Sequence, residues 1–202
     1  NGSKKTMLID AHVDEIGSRV KNITSGGFLL VKPFGSDPEH LYGRPAKIYS
    51  HKKVEILPGV FLIDPAHLKK VRDRSGDVLN QELLYVDAGF TSKVEAEKYI
   101  TIGDFVLPNY PIFKMGRKKH LLTSKALDNT IGTYILLEIL LHFDQHPQES
   151  EYNLILNFSS GEEIGNAAFL GFDTIPNNKR IDKMIILDTI FAFDVPFINK
   201  EI

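Results

Sequence analysis

Three short apolar segments of the chain each end beside side chains that can bind a metal ion, and this pattern limits the fold more than any other feature. A short apolar run bounded by polar residues is typical of a buried strand. The segments and the side chains that follow them are residues 7–9 with His12 and Asp14, residues 154–158 with Glu162 and Glu163, and residues 183–187 with Asp188. Because ligands bind beyond the carboxyl ends of strands in open α/β sheets, we expect these side chains to meet at one edge of a sheet.

Helical segments lie between the apolar strands. Residues 128–143 carry apolar side chains at helical spacing and are followed by Pro147, and a shorter helix is predicted over 165–171. The alternation of strand and helix predicts a mainly parallel α/β sheet. Asp128, at the start of the long helix, is a fourth candidate ligand.

The stretch after the first apolar strand has a different texture, with short β-forming runs separated by turn residues. The predicted strands span residues 18–23, 28–31, 46–49, 53–57, 60–63, 83–87 and 104–108. Pro58 and Gly59 predict a turn between two of these strands, and Ser92 is predicted to cap a short helix over 92–99 with Glu95 three residues on. The stretch is predicted to form a small β-barrel or sandwich.

The simplest organisation is therefore one domain inserted into another. Residues 1–16 and 118–202 are predicted to form a discontinuous catalytic α/β domain, and residues 17–117 an inserted β-rich domain. The chain begins with Asn1 and enters an apolar strand almost at once, so we expect that it lacks its natural start.

Composition narrows the possible partners and ligands. The net charge of −2 provides no basic field for nucleic acid or an anionic membrane. No apolar stretch approaches the roughly 20 residues of a membrane span. The chain has no cysteine, so a metal site must use nitrogen and oxygen ligands, which suit zinc, with cobalt as a substitute. The absence of cysteine and of a signal-peptide pattern is compatible with a cytoplasmic protein.

Each candidate ligand has an ordinary alternative when taken alone. His12 and Asp14 lie two residues apart, so Asp14 could fix the tautomer of a ligating His12 or could be a solvated loop residue. Glu162 and Glu163 could be a surface pair, and Asp188 could cap a helix. Together they favour a metal site, because clustered carboxylates without a cation repel one another.

Four motifs along the chain resemble one known family. They are Asp10-Ala-His-Val-Asp-Glu-Ile-Gly17, Ser124-Lys-Ala-Leu-Asp-Asn129, Gly161-Glu-Glu-Ile-Gly165, and Leu187-Asp-Thr with Asp194-Val-Pro. Their order and spacing are similar to those of the glutamyl and tetrahedral aminopeptidases, also called cellulase-M-like metallopeptidases. The resemblance implies that the inserted domain is a dimerisation domain, that dimers assemble into a dodecamer, and that two zinc or cobalt ions act on peptides with a free N-terminus.

The resemblance also implies roles for single residues. His12 and Asp188 would bind the first metal, Asp128 would bridge both metals, and Glu163 would bind the second. Glu162 would be the general base, and Asp14 would orient His12. A cis peptide bond is expected between Asp128 and Asn129.

The chain departs from the family pattern at several points. Thr130 stands where the family often has Arg, and Gly161 stands where it usually has Gln. The family's fifth ligand, a histidine followed by serine, would lie beyond Ile202, so we expect this chain alone to be inactive. His67 could contact a neighbouring subunit, although a surface turn position is the simpler interpretation.

Two other functions stay open at this stage. A glycoside hydrolase needs two carboxyl groups and no metal. A degenerate subunit retained only for assembly would need neither the two carboxyl groups nor a metal. Chelator sensitivity and metal content distinguish both from a metallopeptidase.

Overall fold

A computed structural model describes residues 4–63, 83–165, 180–190 and 192 of the chain. The chain divides into two compact units. The α/β unit comprises Asn1–Glu15 and Ala126–Ile202, and the barrel unit comprises Ile16–Lys125. The helix predicted over 165–171 lies almost wholly outside the described residues, as do His67 and the Asp194-Val-Pro motif.

The described strands and helices follow one another in a simple order along the chain. The strands are β1 (Thr6–His12), β2 (Gly17–Ile23), β3 (Leu29–Phe34), β4 (Pro45–Ser50), β5 (Glu55–Ile63), β6 (Leu84–Asp87), β7 (Phe105–Pro108), β8 (Phe113–Met115), β9 (Leu121–Thr123), β10 (Asn153–Ser159) and β11 (Lys183–Ile186). The helices are α1 (Pro38–Leu41), α2 (Lys93–Ala96) and α3 (Leu127–Gln145), with 3-10 turns at Pro147–Glu149 and Glu162–Ile164. Within the described residues, no helix is long and apolar enough to cross a membrane.

The α/β unit contains a parallel sheet in the order β10-β1-β11. The central strand β1 is buried along almost its whole length, as expected for a strand with neighbours on both sides and a helix on one face. Ile9 and Ala11 of β1 pack against Leu136 of α3. Parallel pairing aligns the carboxyl ends of the three strands, with His12 opposite Ser159.

The barrel unit is a closed antiparallel barrel in the order β2-β3-β6-β5-β4-β7. Alternate residues of each strand point inward, and Phe61, Ile48 and Val86 are fully buried in its core. The parallel sheet and the closed barrel together confirm the predicted fold class, an α/β domain with a small barrel.

One predicted turn is wrong, because Pro58 and Gly59 lie inside the continuous strand β5. A Cβ atom on Gly59 would lie 2.8 Å from Cγ1 of Val86 and 2.9 Å from the carbonyl oxygen of Asp87. Glycine is therefore needed here for the close approach of β6 rather than for a turn. Pro58 pairs with Lys47 of β4, and on the other side β6 pairs with β5 only from Val60 onward.

The predicted cap of the short helix is confirmed. The Ser92 hydroxyl accepts a hydrogen bond from the backbone N–H of Glu95 at 3.2 Å, and the Glu95 carboxylate accepts one from the N–H of Thr91 at 2.8 Å. This resembles a capping box in which the second donor is the N–H of Thr91, one residue before the cap, instead of that of Ser92. The helix proper, Lys93–Ala96, is shorter than the predicted 92–99, and the backbone continues in turns to Ile100.

Two elements of the barrel unit were not predicted. They are the single helical turn α1 and the hairpin of β8 and β9. The basic cluster Arg117-Lys118-Lys119 occupies the turn of this hairpin, where Lys119 has a positive φ of 50°. Because the segment is highly charged, its sequence indicated a loop and not a hairpin.

Candidate metal centre

The carboxyl end of the parallel sheet and the start of α3 bring three potential metal ligands together. His12 is the last residue of β1, Asp188 follows β11, and Asp128 lies in the first turn of α3. One ligand atom from each lies within 4.8 Å of the others. The meeting follows from the pairing of β1 with β11, which places the residues after both strands at the same edge.

The buried imidazole of His12 lies at the centre of the acidic side chains. Its Nε2 atom is 3.2 Å from Oδ1 of Asp128, 3.7 Å from Oδ1 of Asp188 and 3.8 Å from Oε2 of Glu162. His12 is only 3% exposed, whereas these three carboxylates are between 36% and 59% exposed. Nε2 is therefore the nitrogen that faces the open side of the site.

The other imidazole nitrogen faces Asp14. Nδ1 of His12 is 3.2 Å from the backbone carbonyl oxygen of Asp14 and 3.4 Å from its Oδ1. Both are acceptors that suit the tautomer with the proton on Nδ1. Nε2 also faces an acceptor, Oδ1 of Asp128, so its lone pair is available there when a cation, rather than a proton, lies between the two atoms. A histidine in this tautomer can bind a cation through Nε2.

The carboxylate of Asp14 has a second set of partners. Its Oδ1 accepts a hydrogen bond from the backbone N–H of Glu162 at 3.3 Å, and its Oδ2 accepts one from the N–H of Glu163 at 3.2 Å. The turn that these residues begin is preceded by Gly161 with φ of +93°, a conformation that favours glycine. One carboxylate thus contacts the histidine and orients the backbone of both glutamates.

Electrostatics within the cluster shift two titrating groups. Burial first, and then the neighbouring carboxylates of Asp128 and Glu162, raise the pKa of Glu163 to about 7, while His12 opposes them. Burial lowers the pKa of His12, but the surrounding carboxylates, led by Glu162, outweigh burial and raise it overall. The neighbouring negative charges contribute to both shifts, and a bound cation would neutralise that contribution.

Asp10 is a site residue that sequence reasoning assigned no role. It is 3% exposed, and its carboxylate accepts hydrogen bonds from Nδ2 of Asn157 at 2.6 Å and from Oγ of Ser159 at 3.1 Å. Asp10 lies two residues before His12, a spacing that puts both on one face of β1. Its partners on β10 are almost 150 residues away, so no local pattern could reveal them.

The structure gathers the residues that the sequence singled out. His12, Asp128 and Asp188 form the compact triad, and Glu162 and Asp14 contact His12. Glu163 lies close enough for its pKa to respond to four of these five residues. The expected cis peptide bond between Asp128 and Asn129 is present. Thr130 continues α3, with its N–H donated to the carbonyl oxygen of Ala126.

Comparison with known proteins gives the same family as the motifs. The sequence profile of the M42 glutamyl aminopeptidases matches residues 1–202. This chain belongs to that family. The FrvX protein of Escherichia coli (strain K12) is 32% identical over 196 residues, which are 96% of this chain and 52% of that protein. The lysyl aminopeptidase of Pyrococcus furiosus is 28% identical over 88% of this chain and 54% of that enzyme.

The fold is also similar to that of a solved peptidase assembly. The TET1 peptidase of Pyrococcus horikoshii, which can assemble into a tetrahedron or a large octahedral shell, has a TM-score of 0.71 and 27% identity. The match covers 93% of this chain and 54% of that one. The chain thus spans about half the length of the relatives it matches.

The donor set fits divalent metal ions. One imidazole nitrogen and several carboxylate oxygens are the ligands that zinc and cobalt accept in proteins without thiolates. The triad is compact enough to surround a single ion, and Glu162 and Glu163 are further carboxylate donors close to it.

Proposed function

We propose that the protein to which this chain belongs is a two-metal aminopeptidase that removes the N-terminal residue of peptides. The observation that carries the proposal is the convergence of His12, Asp128 and Asp188 within 4.8 Å at the carboxyl end of the sheet. Membership of the M42 family supports the same activity.

The roles of the side chains follow from the geometry and the family motifs. His12 through Nε2 and Asp188 would hold one ion, Glu163 would hold the second, and Asp128 would bridge the two. Asp14 would keep the proton on Nδ1 of His12, since its oxygens are the acceptors nearest to that atom. The ions would be zinc or cobalt, according to the oxygen and nitrogen donors.

Two bound divalent ions would polarise the carbonyl group of the substrate and lower the pKa of the attacking water. Glu162 is proposed to take the proton of that water on Oε2, the atom that lies 3.8 Å from His12. The water oxygen then attacks the carbonyl carbon of the first peptide bond. Glu162 returns the proton to the leaving amine nitrogen as the bond breaks.

The site also suits recognition of a free N-terminus. The free α-amino group of the substrate would lie near one metal ion or a carboxylate of the cluster, which would restrict cleavage to the terminus. The proposed substrates are therefore peptides with a free amino group. We also propose that the barrel unit serves in assembly of a homo-oligomer built from dimers, up to a dodecamer, because the related TET1 peptidase forms closed shells.

The decisive experiment uses the protein expressed from its complete reading frame. With an aminoacyl anilide as substrate, Glu162→Gln should lower kcat by on the order of 10²–10⁴-fold while the metal content stays at the wild-type value. Glu151→Gln, a control away from the site, should leave kcat unchanged. Full turnover by Glu162→Gln would show that Glu162 is not the base.

Metal removal tests the rest of the proposal. Prolonged treatment with a chelator should abolish anilide hydrolysis, and zinc or cobalt should restore it. Hydrolysis of cellulose that survives the chelator would point to a glycoside hydrolase instead. Metal content far below one ion per subunit in the untreated protein would favour a non-catalytic assembly subunit.

A further inference from the structure

The residue next to Asp128, Asn129, is one of the largest fully buried side chains among the described residues, with 1% exposure. Its amide makes two hydrogen bonds. Nδ2 donates to the carbonyl oxygen of Leu187 at 2.6 Å, and Oδ1 accepts from the backbone N–H of Gly132 at 3.0 Å. Only one orientation of the amide satisfies a carbonyl acceptor and an N–H donor together, so these two contacts determine which way the side-chain amide faces.

These two contacts join the chain segments that carry two ligands of the triad. Asn129 follows Asp128 directly, and Leu187 directly precedes Asp188. The N–H of Leu187 is itself donated to the carbonyl oxygen of Asp10 in β1. Both backbone polar groups of the residue before Asp188 are therefore hydrogen-bonded. The bond from Asn129 to Leu187 therefore links the backbone positions of Asp128 and Asp188.

Gly132 forms the space in which the Asn129 side chain lies. A Cβ atom on Gly132 would lie 2.9 Å from Cγ of Asn129 and still closer to its Oδ1. Atoms of real side chains do not approach so closely, so any larger residue at 132 must displace the amide. The glycine is thus an independent sign that the Asn129 amide has a defined position.

A second side chain of α3 makes an equivalent link to β1. Oγ1 of Thr133 donates a hydrogen bond to the backbone carbonyl oxygen of His12 at 3.0 Å. The helix is tied by Asn129 to the residue beside Asp188 and by Thr133 to His12 itself. All three ligands of the triad are thereby related through α3.

We infer that Asn129 is a positioning residue that holds Asp128 and Asp188 at metal-binding distance, with Thr133 and Gly132 supporting it. The carboxylates repel one another before an ion binds, and a backbone link that resists their separation reduces the reorganisation needed on binding. The inference rests on the proposed metal site, but it concerns ion affinity rather than the reaction. Partners that orient metal ligands typically contribute on the order of 10–100-fold to affinity.

Asn129 also caps the regular part of α3, which begins after the non-helical backbone of Asp128 and Asn129, because its Oδ1 accepts the N–H three residues on. The test must therefore separate capping from positioning. Asn129→Ser keeps an oxygen that can cap the helix and adds no charge, but it removes the donor that reaches Leu187. Asn153→Ser is the matched control, because the Asn153 amide donates to the carbonyl oxygen of Lys4 at 3.0 Å at the opposite end of the same sheet.

The measurement is the affinity of the metal-free protein, from its complete reading frame, for Co²⁺. It is determined from the visible absorption of bound cobalt in competition with a chelator. Asn129→Ser should weaken Co²⁺ binding by on the order of 10–100-fold, and Asn153→Ser by less than about 3-fold. Circular dichroism before titration checks that both variants are folded. Affinity of Asn129→Ser equal to that of the control would overturn the inference, since capping alone would then explain the residue.

Gly132→Ala provides a second route that leaves every donor and acceptor in place. Alone it should weaken Co²⁺ binding by displacing the amide. In the background of Asn129→Ser, where the smaller side chain leaves space, it should add little, and additive losses would contradict a shared role. If the protein does not hydrolyse peptides but the variants still lower Co²⁺ affinity as expected, the proposed function is wrong and the positioning role is retained. A wild-type protein that binds no Co²⁺ would overturn both.

Discussion

The barrel unit and the α/β unit differ in how completely they bury their apolar side chains. Among the described residues, the core of the barrel unit includes Phe61, Ile48 and Val86 at 0% exposure, and its sheet closes on itself. In the α/β unit, Ile9, Ala11 and Leu136 form a small cluster, while Ile135 and Leu141 of α3 stay 42% and 49% exposed. All the candidate ligands nevertheless belong to the α/β unit. Among the described residues, the larger buried core and the candidate ligands thus lie in different units.

The largest expected effect of this difference is on independent folding. Residues 16–125 expressed alone should unfold in one cooperative transition, with a free energy of unfolding of about 5 kcal/mol or more, because their core is closed. Residues 1–15 joined to 126–202 by a short glycine-serine linker should show no such transition. Thermal unfolding followed by circular dichroism measures both. A cooperative transition in the joined segments would contradict the expected difference in independent folding between the two units.

A large loss in the free energy of unfolding is also expected when a single buried side chain is truncated in either core. Phe61→Ala in the barrel should cost about 3–5 kcal/mol, since a fully buried aromatic side chain is lost. Leu136→Ala in α3 should lie near the lower end of about 2–5 kcal/mol, because the surrounding helix surface is open and can relax. Urea unfolding gives both values. Val54→Ala, at a side chain that is 93% exposed, should stay within about 0.5 kcal/mol and is the control.

Local sequence patterns were sufficient for the elements on which the site is built. The apolar segments predicted β1, β10, β11 and α3, and their polar endings predicted the side chains that surround His12. This worked because each strand and its ligand are adjacent in the chain. The roles of these side chains in binding and catalysis stay predictions.

Features that depend on distant residues could not be predicted in the same way. Gly59 resembled a turn glycine because the strand that requires it, with Val86 and Asp87, is almost 30 residues away. Similarly, Asp14 was expected to contact His12, but its hydrogen bonds to Glu162 and Glu163 join residues 148 and 149 positions apart. Contacts of this kind leave no periodic signal in the sequence.

A smaller effect, confined to the chemistry of the α/β unit, is expected at Asp14. Asp14→Ala removes the acceptor for two backbone N–H groups and the carboxylate beside Nδ1 of His12. We expect kcat to fall by on the order of 10–100-fold in the protein from its complete reading frame, with weakened metal binding. Anilide hydrolysis and cobalt titration measure the two effects.

The control for Asp14 is another carboxylate of the same unit that accepts a backbone hydrogen bond. Asp182 accepts one from the N–H of Thr6 at 2.9 Å, at the opposite end of the sheet. Asp182→Ala should reduce stability without changing metal affinity or kcat. Equal losses of activity in both variants would mean that Asp14 acts only by stabilising the fold.

The smallest effect is expected at the cap of α2 in the barrel unit. Ser92→Ala removes the acceptor for the Glu95 N–H and should lower the free energy of unfolding by about 1 kcal/mol. Ser36→Ala, an exposed serine whose hydroxyl only donates to the neighbouring carbonyl of Asp37, is the matched control and should have a smaller effect. Urea unfolding distinguishes the two. Because both serines lie in the barrel unit and all the candidate ligands lie in the α/β unit, cobalt affinity should be the same in both variants and in wild type. A change in that affinity would show that the two units are coupled, and the separation between a stabilising barrel and a chemical α/β unit would have to be abandoned.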